Sequence, residues 1–93
     1  MSISIKGKIA VITGASRGIG EGIARVFASE GATVVCAARS VEDGEKVVSS
    51  INGDGGHAEF FRADIREENE CRALIEHVAG THGRLDIMCH NAG

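Results

Sequence analysis

Thr13-Gly14-Ala15-Ser16-Arg17-Gly18-Ile19-Gly20 is the stretch on which the reading of this chain turns. Before it stands Ile9-Ala10-Val11-Ile12-Thr13, a continuous apolar run rich in β-branched residues. That pattern predicts a strand covered on both faces. After it, Ile19, Ile23, Val26 and Phe27 recur at helical spacing and predict a helix that buries these four on one face. Gly31, directly after Glu30, is the expected helix stop. A helix that starts straight after a strand offers unpaired N–H groups and the positive end of its dipole at the turn, an arrangement suited to a pyrophosphate. Gly14 is placed to turn the chain out of the strand. Gly18 and Gly20 are placed to let a phosphate approach and the helix pack close to the strand. Glycines alone would serve a ligand-free turn equally well; their position between strand and helix is what points to a phosphate. The spacing is neither G-x-G-x-x-G nor a P-loop, because no Lys-Ser or Lys-Thr pair follows.

Outward from this turn the alternation continues. Thr33–Ala38 reads as a second buried strand. Ser40 then stands as an N-cap, with Asp43 where a capping box carries its acid. Val47, Val48 and Ile51 form the apolar stripe of a second helix, and Asn52 to Gly56 a glycine-rich turn. Residues 57–63, with Phe60 and Phe61, predict a third strand. Cys71, Leu74, Ile75, Val78 and Ala79 predict a third helix, ended by Gly83. Leu85 to Cys89 predicts a fourth strand. Strands and helices alternating at these lengths imply a parallel sheet built by crossover connections.

The chain of 93 residues suits one domain or part of one. With 43% hydrophobic and 25% charged residues, it has the apolar content that disordered chains lack. A net charge of −3 gives no basic patch for nucleic acid or an anionic membrane. No signal peptide is read at the start, and no apolar run approaches the ~20 residues of a membrane span. Cys36 and Cys89 lie in apolar runs and read as buried, reduced thiols of a cytoplasmic protein; Cys71 lies in a helical pattern without a visible activating base. His57, His77, His82 and His90 are dispersed and show no metal-ligand spacing.

Three strand-end motifs together resemble the short-chain dehydrogenase/reductase family. They are Thr-Gly-x-x-x-Gly-Ile-Gly at residues 13–20, Asp64 after the third strand, and Asn91-Ala92-Gly93 after the fourth. The resemblance spans essentially the whole chain. It implies an α/β fold, a Rossmann-type doubly wound parallel sheet, incomplete, in the order β-α-β-α-β-α-β. It makes residues 1–93 the N-terminal part of a single NAD(P)-binding domain. By the same resemblance, Gly14, Ser16, Arg17, Gly18, Ile19 and Gly20 line a phosphate loop. Asp64 and the backbone of Ile65 flank the adenine, and Asn91, Ala92 and Gly93 run beside the ribose and fix the central strands. Two residues depart from the family's habit. His90 stands where Asn is common, and reads as a packed strand residue. Arg66 stands where a capping Ser, Thr or Asp is common.

The second strand ends Ala37-Ala38-Arg39-Ser40, without the acid that an NAD site uses to hold the ribose hydroxyls. A carboxylate there would repel a 2′-phosphate; Arg39 and Arg17 would bind one. The expected cofactor is therefore NADP(H), with NAD(H) the alternative. The family's hydride transfer uses a serine and a Tyr-x-x-x-Lys pair that lie after the Asn-Ala-Gly motif. This chain contains no tyrosine, so no catalytic residue is assigned in it. The leading expectation is an oxidoreductase acting on a carbonyl or alcohol of a small molecule, a homo-oligomer at full length. It is represented here by an inactive cofactor-binding fragment whose fourth strand is an exposed apolar edge. The second expectation is a non-catalytic module that binds dinucleotide or pairs with another subunit.

Overall fold

The computed structural model describes residues 4–91. Seven elements alternate along them: β1 (Ile9–Thr13), α1 (Gly18–Ser29), β2 (Thr33–Ala38), α2 (Val41–Gly53), β3 (His57–Arg62), α3 (Glu68–His82) and β4 (Ile87–Cys89). The four strands form one parallel sheet in the order β3-β2-β1-β4. This is the expected doubly wound α/β arrangement. The chain leaves β1 toward β2 and β3, then crosses back to place β4 on the other side of β1. Connections that leave neighbouring strands in opposite directions open a crevice at the strands' carboxyl ends.

All of β1 is buried, as a continuous apolar strand requires. On one face of the sheet, Ile12, Val34 and Cys36 pack with Ala24 and Ala28 of α1 and Val47 and Ile51 of α2. On the other face, Ile9, Val11, Val35 and Ala37 pack with Leu74 and Val78 of α3. Each buried Val, Leu or Ile contributes about 1.5–3 kcal/mol, so these two clusters dominate the holding of helices on sheet. Burial also pushes the Cys36 thiol up to about 12, keeping it neutral.

Several expectations need correction. The buried face of α1 is Gly20, Ala24 and Ala28, not the large residues. Ile19 is 75% exposed and Val26 57%, while Ile23 and Phe27 pack only at the flank. Small residues four apart let the helix axis lie close to the sheet, and closeness prevailed over side-chain size. In α3, Leu74 and Val78 are buried, whereas Ile75 and Ala79 are exposed. Cys89 is only half-buried, because β4 forms an edge of the sheet among the described residues, with its neighbour Met88 46% exposed. His90 is exposed and follows the end of β4; it is not a packed strand residue.

Strand β4 is also shorter at its start than expected, because Asp86 serves as an anchor instead. Its carboxylate accepts the Ile9 N–H at 2.8 Å and a forked pair from Arg84, and its backbone N–H donates to the Ile9 carbonyl. These donors hold the Asp86 carboxyl below its ordinary range. The far half of α3 is fastened to β3 by Glu59, whose Oε1 takes His82 Nε2 at 2.7 Å and His77 Nε2 at 3.4 Å.

Candidate functional site

The crevice at the strand ends is a cleft of about 770 Å³, within the range of small-molecule sites. Its lining comes from three turns and the end of β4. The β1–α1 turn contributes Gly14, Ser16, Arg17, Gly18 and Ile19. The end of β2 and the start of α2 contribute Ala38, Arg39, Ser40 and Asp43. The β3–α3 turn contributes Ala63, Asp64, Ile65 and Arg66, and Asn91 follows β4. Thus nine of the twelve residues singled out from sequence meet in one cleft. Gly20 lies buried beneath it, and Ala92 and Gly93 lie outside the described residues.

The β1–α1 turn is shaped by its glycines. Gly14 has φ +63°, and a Cβ there would stand 2.9 Å from the Asn91 carbonyl oxygen. Gly18 has the same φ, but a Cβ there would meet nothing within 4 Å, so the surface above it is open to a ligand. At Gly20 a Cβ would stand 2.1 Å from the Gly14 carbonyl oxygen, so this residue sets the distance between α1 and the turn. The N-cap of α1 is Arg17, and no side chain caps the helix. Its first N–H groups and its dipole therefore face the cleft without a capping side chain. By contrast, Ser40 Oγ caps α2 by accepting the Asp43 N–H at 3.2 Å, as its sequence position implied. The Asp43 side chain lines the cleft.

Thr13 is the sole polar residue among the buried ones described, and sequence reading gave it no role of its own. Its Oγ1 accepts the Asn91 N–H at 2.9 Å and donates to the Cys89 carbonyl at 3.5 Å. Asn91 in turn donates from Nδ2 to the Gly14 carbonyl at 3.4 Å. The turn after β1 and the segment after β4 are thereby joined across the crevice. A buried hydroxyl at the end of an apolar strand was the available signal.

In the β3–α3 turn the side chains close on one another. Asp64 Oδ1 accepts from the backbone N–H and Nε of Arg66, each at 3.0 Å, and Oδ2 accepts from Arg66 Nη2 at 2.8 Å. The Arg66 hydrogen bonds, with the Arg39 charge adding to them, hold the Asp64 carboxyl far below its usual range. Glu70 reaches back from α3 to accept the Asp64 N–H at 2.8 Å and Arg62 Nη1 at 2.7 Å. No cap stands at position 66: α3 begins two residues later, at Glu68, with Glu67 as its N-cap and no side-chain cap hydrogen bond.

Three guanidinium groups and two carboxylates line the cleft. Asp64 and Arg66 satisfy each other. Among the described residues, neither Arg17 nor Arg39 takes part in an ion pair or a side-chain hydrogen bond. Asp43 is the other carboxylate-bearing residue of the lining. The cleft thus keeps an excess of positive charge at an uncapped helix start, which suits a phosphorylated ligand.

Comparison with known proteins agrees with this geometry. The sequence profile of the short chain dehydrogenases matches residues 8–93. The chain is 44% identical to a 2,3-dihydro-2,3-dihydroxybenzoate dehydrogenase of Bacillus subtilis over 96% of its own length and 34% of the relative's. Among solved structures, it superimposes on a metagenomic short-chain oxidoreductase in complex with NADP at TM-score 0.92 and 44% identity, covering 98% of this chain and 41% of that one. It also superimposes on L-sorbose reductase from Gluconobacter frateurii, complexed with NADPH and L-sorbose, at TM-score 0.94 and 38% identity, covering 100% of this chain and 36% of that one. The chain therefore spans 34–41% of the length of these relatives.

Proposed function

The chain belongs to the short-chain dehydrogenase family, and from that premise we propose that its cleft binds NADP(H) for an oxidoreductase acting on a carbonyl or alcohol group. The observation that carries the proposal is the pairing of two uncommitted arginines, Arg17 and Arg39, with the uncapped start of α1 in one cleft. Residues 1–93 are then the N-terminal part of one dinucleotide-binding domain. In this reading the amides of the β1–α1 turn hold the pyrophosphate, and open space above Gly18 leaves room for it. Arg17 and Arg39 hold the 2′-phosphate. Asp64 and the Ile65 backbone take the adenine, and Asn91 with Ala92 and Gly93 follows the ribose. Two solved relatives that carry NADP or NADPH support the choice of cofactor. When bound, a nicotinamide accepts or supplies a hydride. With no tyrosine among these 93 residues, the chain by itself is expected to bind dinucleotide without turning over substrate. The working protein is read as a cytoplasmic homo-oligomer; no helix among the described residues is long and apolar enough to cross a membrane.

Calorimetric titration of the natural-length protein with NADPH and NADH tests the proposal. One charge-assisted contact contributes about 1.5–3 kcal/mol, so NADPH is expected to bind roughly ten- to a hundredfold more tightly. Ala38→Asp places a carboxylate at the lip of β2 and is expected to reverse the preference. Equal or NADH-favoured binding removes the phosphate assignment. Failure of both to bind overturns the cofactor reading.

A further inference from the structure

Gly44 lies in the first turns of α2, and nothing in its backbone calls for glycine: it is not among the positive-φ glycines. Glycine also favours a helix less than alanine does. What its bareness supplies is space. Gly44 is buried and, with Val47 and Ile51, faces the sheet. A Cβ on it would stand 2.8 Å from Phe60 Cζ, and closer still to Cε1 and Cδ1. The Phe60 ring of β3 thus lies directly against the helix backbone. Phe60 pairs with Cys36 across the sheet and packs on the cluster that holds Cys36, Val47 and Ile51, which restrains the ring. The first turn of α2 is bound to Ser40 twice. Its carbonyl accepts the Gly44 N–H at 3.0 Å, and its Oγ accepts the Asp43 N–H at 3.2 Å. Only Arg39 and Ser40 link β2 to α2. The end of β2 is held in turn by the Ala63 N–H, which donates to the Ala38 carbonyl at 3.0 Å. Arg39, in the lining of the cleft, is therefore strung between a fixed strand end and a helix seated on an aromatic ring.

We infer that Gly44 and Phe60 are positioning residues: their contact sets where Arg39 stands in the cleft, and with it how strongly the cleft prefers a dinucleotide that carries a 2′-phosphate. The inference rests on the dinucleotide reading above. Carbon atoms rest about 3.5–4.0 Å apart. An alanine at position 44 therefore lifts the first turn of α2, or displaces the ring, by on the order of 1 Å. Lifting the turn carries Ser40 with it, and the two-residue link leaves Arg39 to take up the change. A charge-assisted N–H···O bond holds over about 2.7–2.9 Å, so a shift of that size takes a guanidinium out of reach of a phosphate oxygen. The pyrophosphate, held by the β1–α1 turn in the same reading, is left alone.

The test titrates NADPH and NADH into natural-length wild type, Gly44→Ala and the double variant Gly44→Ala/Phe60→Val. In Gly44→Ala the NADPH-to-NADH affinity ratio is expected to fall roughly tenfold, the size of one charge-assisted contact, with NADH binding within about twofold of wild type. Phe60→Val removes Cδ1, Cε1 and Cζ and keeps a β-branched strand residue. The double variant is therefore expected to regain most of the wild-type ratio. Phe60→Trp presses on the same turn from the strand side and should lower the ratio as well; it decides the matter if Gly44→Ala does not fold. A wild-type ratio in folded Gly44→Ala overturns the inference, because the ring has then swung aside and the turn has stayed. Equal loss of NADPH and NADH affinity overturns it too, since that marks general damage rather than a displaced Arg39. So does a ratio that the double variant fails to restore. A ratio of one in wild type removes the phosphate assignment of the proposed function, and the inference with it.

Discussion

The β1–α1 turn and the β3–α3 turn face the same cleft and are built in opposite ways. The first is made of backbone: positive-φ glycines, an uncapped helix start and, among the described residues, an arginine in no ion pair or side-chain hydrogen bond. The second is made of side chains satisfied by one another, with Asp64, Arg66, Glu70 and Arg62 in a chain of charge-assisted bonds. In the proposed reading, one cleft divides its tasks between the two turns. A turn whose donors are left open gains most when an anion arrives. A turn whose side chains already satisfy one another meets a ligand without reorganising.

Substitutions sharpen or break this contrast. The largest effect is expected from Gly20→Ala, where the added carbon meets the Gly14 backbone and cannot be accommodated by side-chain movement. Overpacking of this kind costs about 3 kcal/mol, so the melting temperature should drop by on the order of 10 °C or more and dinucleotide binding should be lost with it. A normal melt would show that α1 can retreat from the turn. Next is Thr13→Val, which keeps the shape but removes the acceptor of the Asn91 N–H. Leaving that donor unsatisfied is expected to cost about 2 kcal/mol in denaturant unfolding. An unchanged midpoint would mean that the β1 and β4 ends are not held together by this hydroxyl. The smallest is Glu70→Ala, which removes a half-exposed acceptor from the second turn and should cost about 1 kcal/mol. If Glu70→Ala proved more damaging than Gly20→Ala, the assignment of backbone to one turn and side chains to the other would be wrong.

Much of this was legible beforehand, and the exceptions have a common cause. Strand β1 was placed residue for residue, because a continuous β-branched run leaves few alternatives. The cap at Ser40 was read from two positions three residues apart, Ser40 and Asp43. The face of α1 was misread: Ile19 and Val26 fit the helical period but lie away from the sheet, because the period does not say which arc meets it. Asp86 on Ile9, Thr13 on Asn91 and Arg66 on Asp64 could not be read as pairs. In the first two, more than 70 residues separate the partners; in the third, the two arginine nitrogens find their acceptor only once the turn is folded.

The sequence by itself determined the alternation of elements, the family, and which turns would carry glycine, arginine and aspartate, since these follow from local periodicity and local backbone needs. The tertiary structure alone decided that nine of those residues share one cleft, that Gly20 lies beneath it, that Arg17 and Arg39 are uncommitted while Arg66 is not, and that a buried hydroxyl joins the first strand to the fourth. The reason is physical: backbone conformation is set largely by neighbours in sequence, whereas hydrogen-bond partners and close approach are set by whatever the crossing of the chain brings within a few ångströms.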